Sequence, residues 1–229
     1  QWSLPAAFSW QSQADLDRKL AAEHTVGEEG APWNAAVIVG PVQAQMNCGS
    51  CYAIAVAGAL TSRYNIFHPA KPTTTLSAQE LINCVRDVSQ GCLGGDPLEC
   101  CVYVEDNGLP TDICVPYACQ QTSDLCLIAA AREPSADTTA CSSKDRDGCE
   151  RIFIQKGSTH YVGEGSAWAY VNQIRRELYA GGPVVGTFLV YQDFLLFSVT
   201  PSSRGFTLSS VGESFGKSLQ ELNRYIPQQ

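Results

Sequence analysis

The chain of 229 residues is 45% hydrophobic and carries a net charge of −8, with no run of Lys or Arg. That apolar content suffices for one large core or two lobes, and the acidic balance argues against nucleic acid and anionic membrane surfaces as partners. Eleven cysteines point to an oxidising compartment, and the odd count leaves one thiol over when ten are paired.

No window approaches the ~18 uninterrupted apolar residues that a bilayer span needs. The first residue is Gln1 rather than Met, which reads as a signal or pro segment already removed. Only three histidines occur, His24, His68 and His160, and none stands at ligand spacing from a CxxC pair, so neither metal nor cofactor is expected.

In chain order, LPAAFSW, Leu4 to Trp10, reads as an extended entry strand, followed by a polar, charged segment from Gln11 to Pro32. Ala53 to Tyr64 reads as a buried helix, with Ile54, Ala57, Leu60 and Tyr64 at 3.6-residue spacing and small residues on the other faces. A further helix begins after Ser77, an N-cap residue with Glu80 three positions on as the second half of a capping box. From Gln90 to Gly148 the sequence is cysteine-rich and without a long periodic run, so disulfides are expected to hold it. Ser166 is an N-cap candidate for a helix with Ala167, Val171, Ile174 and Leu178 on one face, stopped by Gly181-Gly182. PVVGTFLVY then reads as a strand, and Glu213 to Ile226 places Phe215, Leu219, Leu222 and Ile226 on one helical face.

The chemistry concentrates in PVQAQMNCGSCYAIA, Pro41 to Ala55. A cysteine at the first turn of a buried helix feels the positive end of the helix dipole, which favours thiolate over thiol. Gln45, looped back beside Cys51, would offer its side-chain amide, together with the Cys51 backbone N–H, to an oxygen that turns negative during acyl transfer. Losing one such donor costs ~3–4 kcal/mol of transition-state stabilisation. A redox reading of CGSC is disfavoured, because thioredoxin-type pairs sit in a βαβ pattern with few other cysteines.

Cys48-Gly49-Ser50-Cys51-Tyr52 resembles the C-G-[SA]-C-[WY] pattern of papain-like cysteine peptidases. LPAAFSW resembles the mature start of that family, with Ser9 where the family usually has Asp. LSAQELINC followed by GCLGGDP resembles its LSxQxLxxC…GCxGGxP. CVPYACQQTSDLC and GGPVVGTFLVYQDFLLF look most like cathepsin B, and the Tyr after the nucleophile looks like cathepsin C. The likeness runs from Leu4 to Phe197.

The resemblance implies an α+β, papain-like two-lobe fold, disulfide-rich, with a helical left lobe over residues 1–146 and a partial β right lobe over 147–229. It implies that Cys51 is the nucleophile and Gln45 the oxyanion donor, while Gly94, Gly95 and Pro97 form the edge that binds substrate backbone. It also implies a Cys48–Cys92 bridge and a bridge from Cys84 to Cys126 or Cys119, with Cys51 the odd thiol; Cys100, Cys101, Cys114, Cys141 and Cys149 stay unassigned. Peptide or protein substrates and a lysosomal, endosomal or extracellular location follow from the same likeness.

The sequence departs from the family at its histidine. The Gly-His-Ala and Asn-Ser-Trp motifs expected beyond the Gly-Pro strand have no counterpart in SVTPSSRGFTLSSVGESFGKSLQELNRYIPQQ. By the same resemblance His160 would fall where the family has a strand away from the cleft, His68 far from the helix start, and His24 in an N-terminal insertion. Either a missing segment or second chain supplies the imidazole, or the chain is an inactive relative serving as a structural or binding component of an assembly.

Overall fold

The computed structural model describes residues 4–23, 33–34, 38–85, 87–118, 149–162 and 166–188. The chain divides into two compact units, Gln1–Val185 and Gly186–Gln229. Only residues 186–188 of the second are described, so the architecture below is that of the first. The expected lobe boundary at residues 146 and 147 and the expected C-terminal helix lie outside the described residues.

The first unit is built from helices α1 (Gln13–Glu23), α2 (Cys51–Phe67), α3 (Ala78–Cys84), α4 (Pro97–Asn107) and α5 (Ala167–Gly181), with strands β1 (Leu109–Pro110) and β2 (Arg151–Ile152). The strands pair antiparallel, Leu109 opposite Ile152 and Pro110 opposite Arg151. One core cluster joins α2, α3 and α4 through Tyr52, Ala53, Val56, Ala57, Leu81, Ile82, Cys100 and Val104. Each large apolar side chain so buried contributes about 1.5–3 kcal/mol.

α2 is longer than its apolar spacing predicts, by two residues at its start and three at its end. Its second half buries Thr61, Ser62 and Asn65, polar residues that find backbone partners. Thr61 Oγ1 accepts from Leu76 N at 2.9 Å, and the Asn65 amide exchanges two hydrogen bonds with the Thr74 backbone, at 3.2 and 3.1 Å. Pairing offsets the cost of taking these polar groups out of water, and the bonds tie α2 to the segment that leads into α3.

Ser77 caps α3 by accepting from Glu80 N at 3.1 Å. The reciprocal half of the expected box is replaced, since Ser77 N donates to Pro110 O and the Glu80 carboxylate faces Arg151. Asp96 caps α4 onto Leu98 N, with Pro97 at its start, so the cysteine-rich segment contains a helix that periodicity did not predict. At its end Gly108 has φ 70°, and a Cβ there would lie 2.9 Å from the Phe153 ring. Three further expectations are corrected. Leu4–Trp10 forms no strand, and α1 lies within the segment read only as polar; residues 183–188 likewise form no strand.

α5 starts where expected, with Ser166 accepting from Ala169 N, and stops at Gly182. Arg63 of α2 ties down its end, donating to Pro183 O at 2.8 Å and pairing with Glu177 at 2.8 Å. A second core cluster gathers Trp10, Leu16, Trp33, Ile38 and Ile66. Its indoles are anchored by Trp10 Nε1 to Leu178 O at 2.7 Å and Trp33 Nε1 to Ile66 O at 2.8 Å. Lys19, 4% exposed, lays its ammonium 3.9 Å from the Tyr179 ring centroid and 5.8 Å from those of Trp10 and Trp33.

Candidate active site

Cys51 is the first residue of α2, exposed and free, and Tyr52 behind it is buried in the core. Helix burial therefore fixes the backbone of the thiol while leaving its sulfur at the surface. Cys48 is bonded to Cys92 across 44 residues. CGSC accordingly holds no dithiol pair, which removes the redox reading.

The bridge brings two loops into contact. Gly49 N donates to Cys92 O at 2.7 Å. A Cβ on Gly49 would lie 2.5 Å from that oxygen and 3.4 Å from Gly94 N, so no larger residue fits without moving backbone. Gly95 packs against the ring of Tyr52, where a Cβ would come within 2.6 Å of Cε2 and 2.5 Å of Ser89 Oγ. Tyr52 Oη donates to Gly91 O at 3.0 Å. The loop of Gly91 to Gly95 is thus wrapped on the residue following Cys51, with Gly95 exposed and Gly94 and Pro97 partly so.

That loop has a second anchor, which the sequence reading missed. Glu99 of α4 accepts from the amides of Asp87, Val88 and Ser89 at 2.7, 3.0 and 2.8 Å, and from Ser89 Oγ at 2.6 Å. Ser89 Oγ in turn accepts from Asp96 N at 3.1 Å. Burial pushes the Glu99 carboxyl up, but the hydrogen bonds from Ser89, Val88 and Asp87 outweigh it and hold the group below its ordinary value.

Gln45 is exposed in the loop before Cys48, and its carbonyl accepts from Cys48 N at 3.3 Å and from Tyr117 Oη at 3.0 Å. Residues 41–50 contain no helix or strand, and Met46 has φ 53°, a left-handed conformation that turns the chain between Gln45 and Cys48.

The histidines stand elsewhere. His68 caps the far end of α2; 17 residues at 1.5 Å rise put it about 25 Å from Cys51, with Nδ1 at 3.0 Å from Tyr64 O. His160 is exposed beside the last turn of α4, Nδ1 at 2.7 Å from Ser158 O, where the neighbouring Thr159 amide bonds Glu105. His24 lies outside the described residues. Among the described residues no imidazole meets Cys51.

Residues 29–204 match the model of the papain family of cysteine proteases. The chain belongs to this family. Its α+β fold is accordingly papain-like. Similar papain-family relatives include Cathepsin B-like cysteine proteinase 4 of Caenorhabditis elegans, 28% identical over 217 residues, covering 85% of this chain and 62% of the relative. Cathepsin B-like cysteine proteinase 1 of Haemonchus contortus is 32% identical over 167 residues, covering 67% and 47%. Cathepsin C of Schistosoma mansoni is 30% identical over 198 residues, covering 85% and 35%. The chain thus spans 62% and 47% of the length of these two cathepsin B-like relatives. A crystallised cysteine protease of Carica candamarcensis overlaps 60% of this chain and 54% of its own at 26% identity and a TM-score of 0.42.

The remaining sulfurs correct one expectation. Cys84 is disulfide-bonded, and the partners expected for it, Cys119 and Cys126, lie outside the described residues. Cys114 pairs with Cys149. Cys51 is not the odd thiol, because Cys100 and Cys101 are free as well. Burial, and then the neighbouring Cys101 sulfur, pushes the Cys100 thiol well up; burial and Glu105 push Cys101 up. Both belong to the packing of α4 against the core, whereas Cys51 faces solvent.

Proposed function

We propose that this chain carries the nucleophilic half of a cathepsin B-like thiol peptidase site. Cys51 attacks the carbonyl carbon of a peptide or protein substrate, and the Gln45 side-chain amide and Cys51 backbone N–H receive the oxyanion. Gly94, Gly95 and Pro97 offer the edge along which extended substrate lies, the absence of side chains on the glycines allowing backbone to approach backbone. The C–N bond breaks to leave a Cys51 thioester, the departing amine takes up a proton, and water hydrolyses the thioester. The proton donor is an imidazole from a segment outside the described residues or from a second chain. Secretory-pathway residence, lysosomal, endosomal or extracellular, fits the disulfides.

The observation that carries this reading is a free, exposed thiol at the first residue of a buried helix, beside a cysteine that is locked to the glycine loop. A second reading draws on the distance of His68 from Cys51 and on His160 standing beside α4, with Ser158 as its partner. In it the chain is an inactive papain-family component that binds a partner within an assembly.

A thiol-directed epoxide that labels active papain-family enzymes separates the two. Under reducing, mildly acidic conditions the peptidase reading expects one adduct, on Cys51, lost in Cys51→Ala. An intact chain that stays unlabelled at Cys51 sinks the reading.

A further inference from the structure

The edge offered to substrate backbone narrows, on its hydrogen bonds, to one residue. Gly94 O accepts from Gln90 N at 2.8 Å, and Asp96 N donates to Ser89 Oγ at 3.1 Å. Gly95 stands exposed between them, and among the described residues nothing bonds its own N–H or C=O. A free donor and a free acceptor on one exposed residue are what an extended peptide needs to pair with it as a strand does.

Peptide planarity turns the two neighbouring bonds into constraints on Gly95. In a trans peptide the C=O of one residue and the N–H of the next point in opposite directions. Tying Gly94 O to Gln90 N therefore directs the Gly95 N–H away from Gln90. Tying Asp96 N to Ser89 Oγ directs the Gly95 C=O away from Ser89. The first tie is backbone to backbone and asks nothing of any side chain. The second hangs on one hydroxyl.

Ser89 is well held for that task. It is 2% exposed, and its proton goes to Glu99 Oε2 at 2.6 Å, the length of a bond to a charged acceptor. With the proton so committed, an oxygen lone pair is left to the Asp96 N–H. Ser89 N donates to the same carboxylate oxygen at 2.8 Å, which fixes the backbone behind the hydroxyl. The other anchors of the loop act on its first half: the disulfide holds Cys92, and Tyr52 Oη holds Gly91 O.

We propose that Ser89 is a positioning residue for substrate: its hydroxyl, held by Glu99, aims the Gly95 carbonyl at a backbone N–H of an extended peptide. The inference rests on the reading of Gly95 as the substrate edge of the Cys51 site.

The experiment compares two epoxides on the full chain: epoxysuccinyl-leucine amide, and its ester analogue in which an oxygen replaces the leucine N–H. Peptide mass spectrometry follows the rate at which each labels Cys51, and the amide-to-ester ratio measures what that N–H contributes. Ser89→Ala is expected to lower the ratio about three- to ten-fold, the worth of one hydrogen bond. General damage to the site slows both reagents alike, so an unchanged ratio overturns the inference. Should Ser89→Ala not fold, Glu99→Gln takes the ionised acceptor from Ser89 and is expected to move the ratio the same way; no change there overturns the inference as well. If neither reagent labels the wild type, the peptidase reading falls by itself, and amide relaxation measured by nuclear magnetic resonance still reads the positioning. Ser89→Ala then lowers the order of the Asp96 amide and leaves that of the Gly95 amide as it was. An Asp96 amide as ordered in Ser89→Ala as in the wild type overturns the inference.

Discussion

Replacing Glu80 with Leu tests whether the ion pair beneath β1 and β2 is what joins the helical core to the second strand. Arg151 Nη2 meets Glu80 Oε1 at 2.7 Å, with the two side chains 4% and 0% exposed. Arg151 also donates to Asn107 O at 2.7 Å and Gly108 O at 3.1 Å, while Tyr103 Oη donates to Glu80 Oε1 at 3.2 Å. Removing the carboxylate strands a guanidinium out of water and takes the acceptor from Tyr103, at a cost of about 3–5 kcal/mol. Arg151→Leu strands the carboxylate instead, and costs a similar amount. The double replacement removes both charges and leaves two carbonyls and one phenol short of partners, at about 1 kcal/mol each, so it costs about 3 kcal/mol rather than the sum of the singles. The coupling is then about 5 kcal/mol, measured as shifts in urea unfolding midpoints at unchanged m-value. Additive single effects, or a Glu80→Leu cost below about 1 kcal/mol, would refute the reasoning.

Gly49→Ala drives a methyl group into Cys92 O and is expected to cost about 1–3 kcal/mol and to slow epoxide labelling of Cys51; an unchanged unfolding midpoint would show that the two loops are not in tight contact. The Glu99 clamp predicts an acid-sensitive loop. Because its folded-state value is depressed, its contribution is present above the ordinary carboxylate value of 4.5 and is lost as pH falls through the folded value. The amides of Asp87, Val88 and Ser89 should therefore lose hydrogen-exchange protection, after correction for intrinsic rates, between about pH 6 and about pH 3. In Glu99→Gln, which keeps one accepting oxygen and does not titrate, protection should be weaker and independent of pH, and wild-type protection that ignores pH would count against the clamp.

The parts of this site that are contiguous in the chain were legible from it. Cys51, the helix behind it and the Ser77 cap each follow from local spacing and local hydrogen-bonding chemistry. α1 was hidden because Leu16 and Lys19 bury themselves against aromatics from distant segments, including a lysine that hydropathy counts as surface. α4 was hidden by its cysteines, which suggested bridges where two of them instead pack as small apolar residues. Neither Glu99 nor Ser89 announces its role, since each acts through partners fixed only when α3 and α4 have closed on α2. The absent histidine motif was legible as well, and the placement of His68 and His160 gives that absence a geometry.

The box around Lys19 gives the N-terminal clasp an optical signature of its own. Trp10 and Trp33, two of the chain's four tryptophans, stand edge to face with ring centroids 5.5 Å apart and planes at 84°. Transition dipoles that close and that inclined couple, and the ammonium beside them shifts their emission. Near-ultraviolet circular dichroism would therefore report the clasp closing on α1 and α5, while alkylation of the buried Cys100 thiol reports opening of the core around α2, so that the melting of one can be timed against the other.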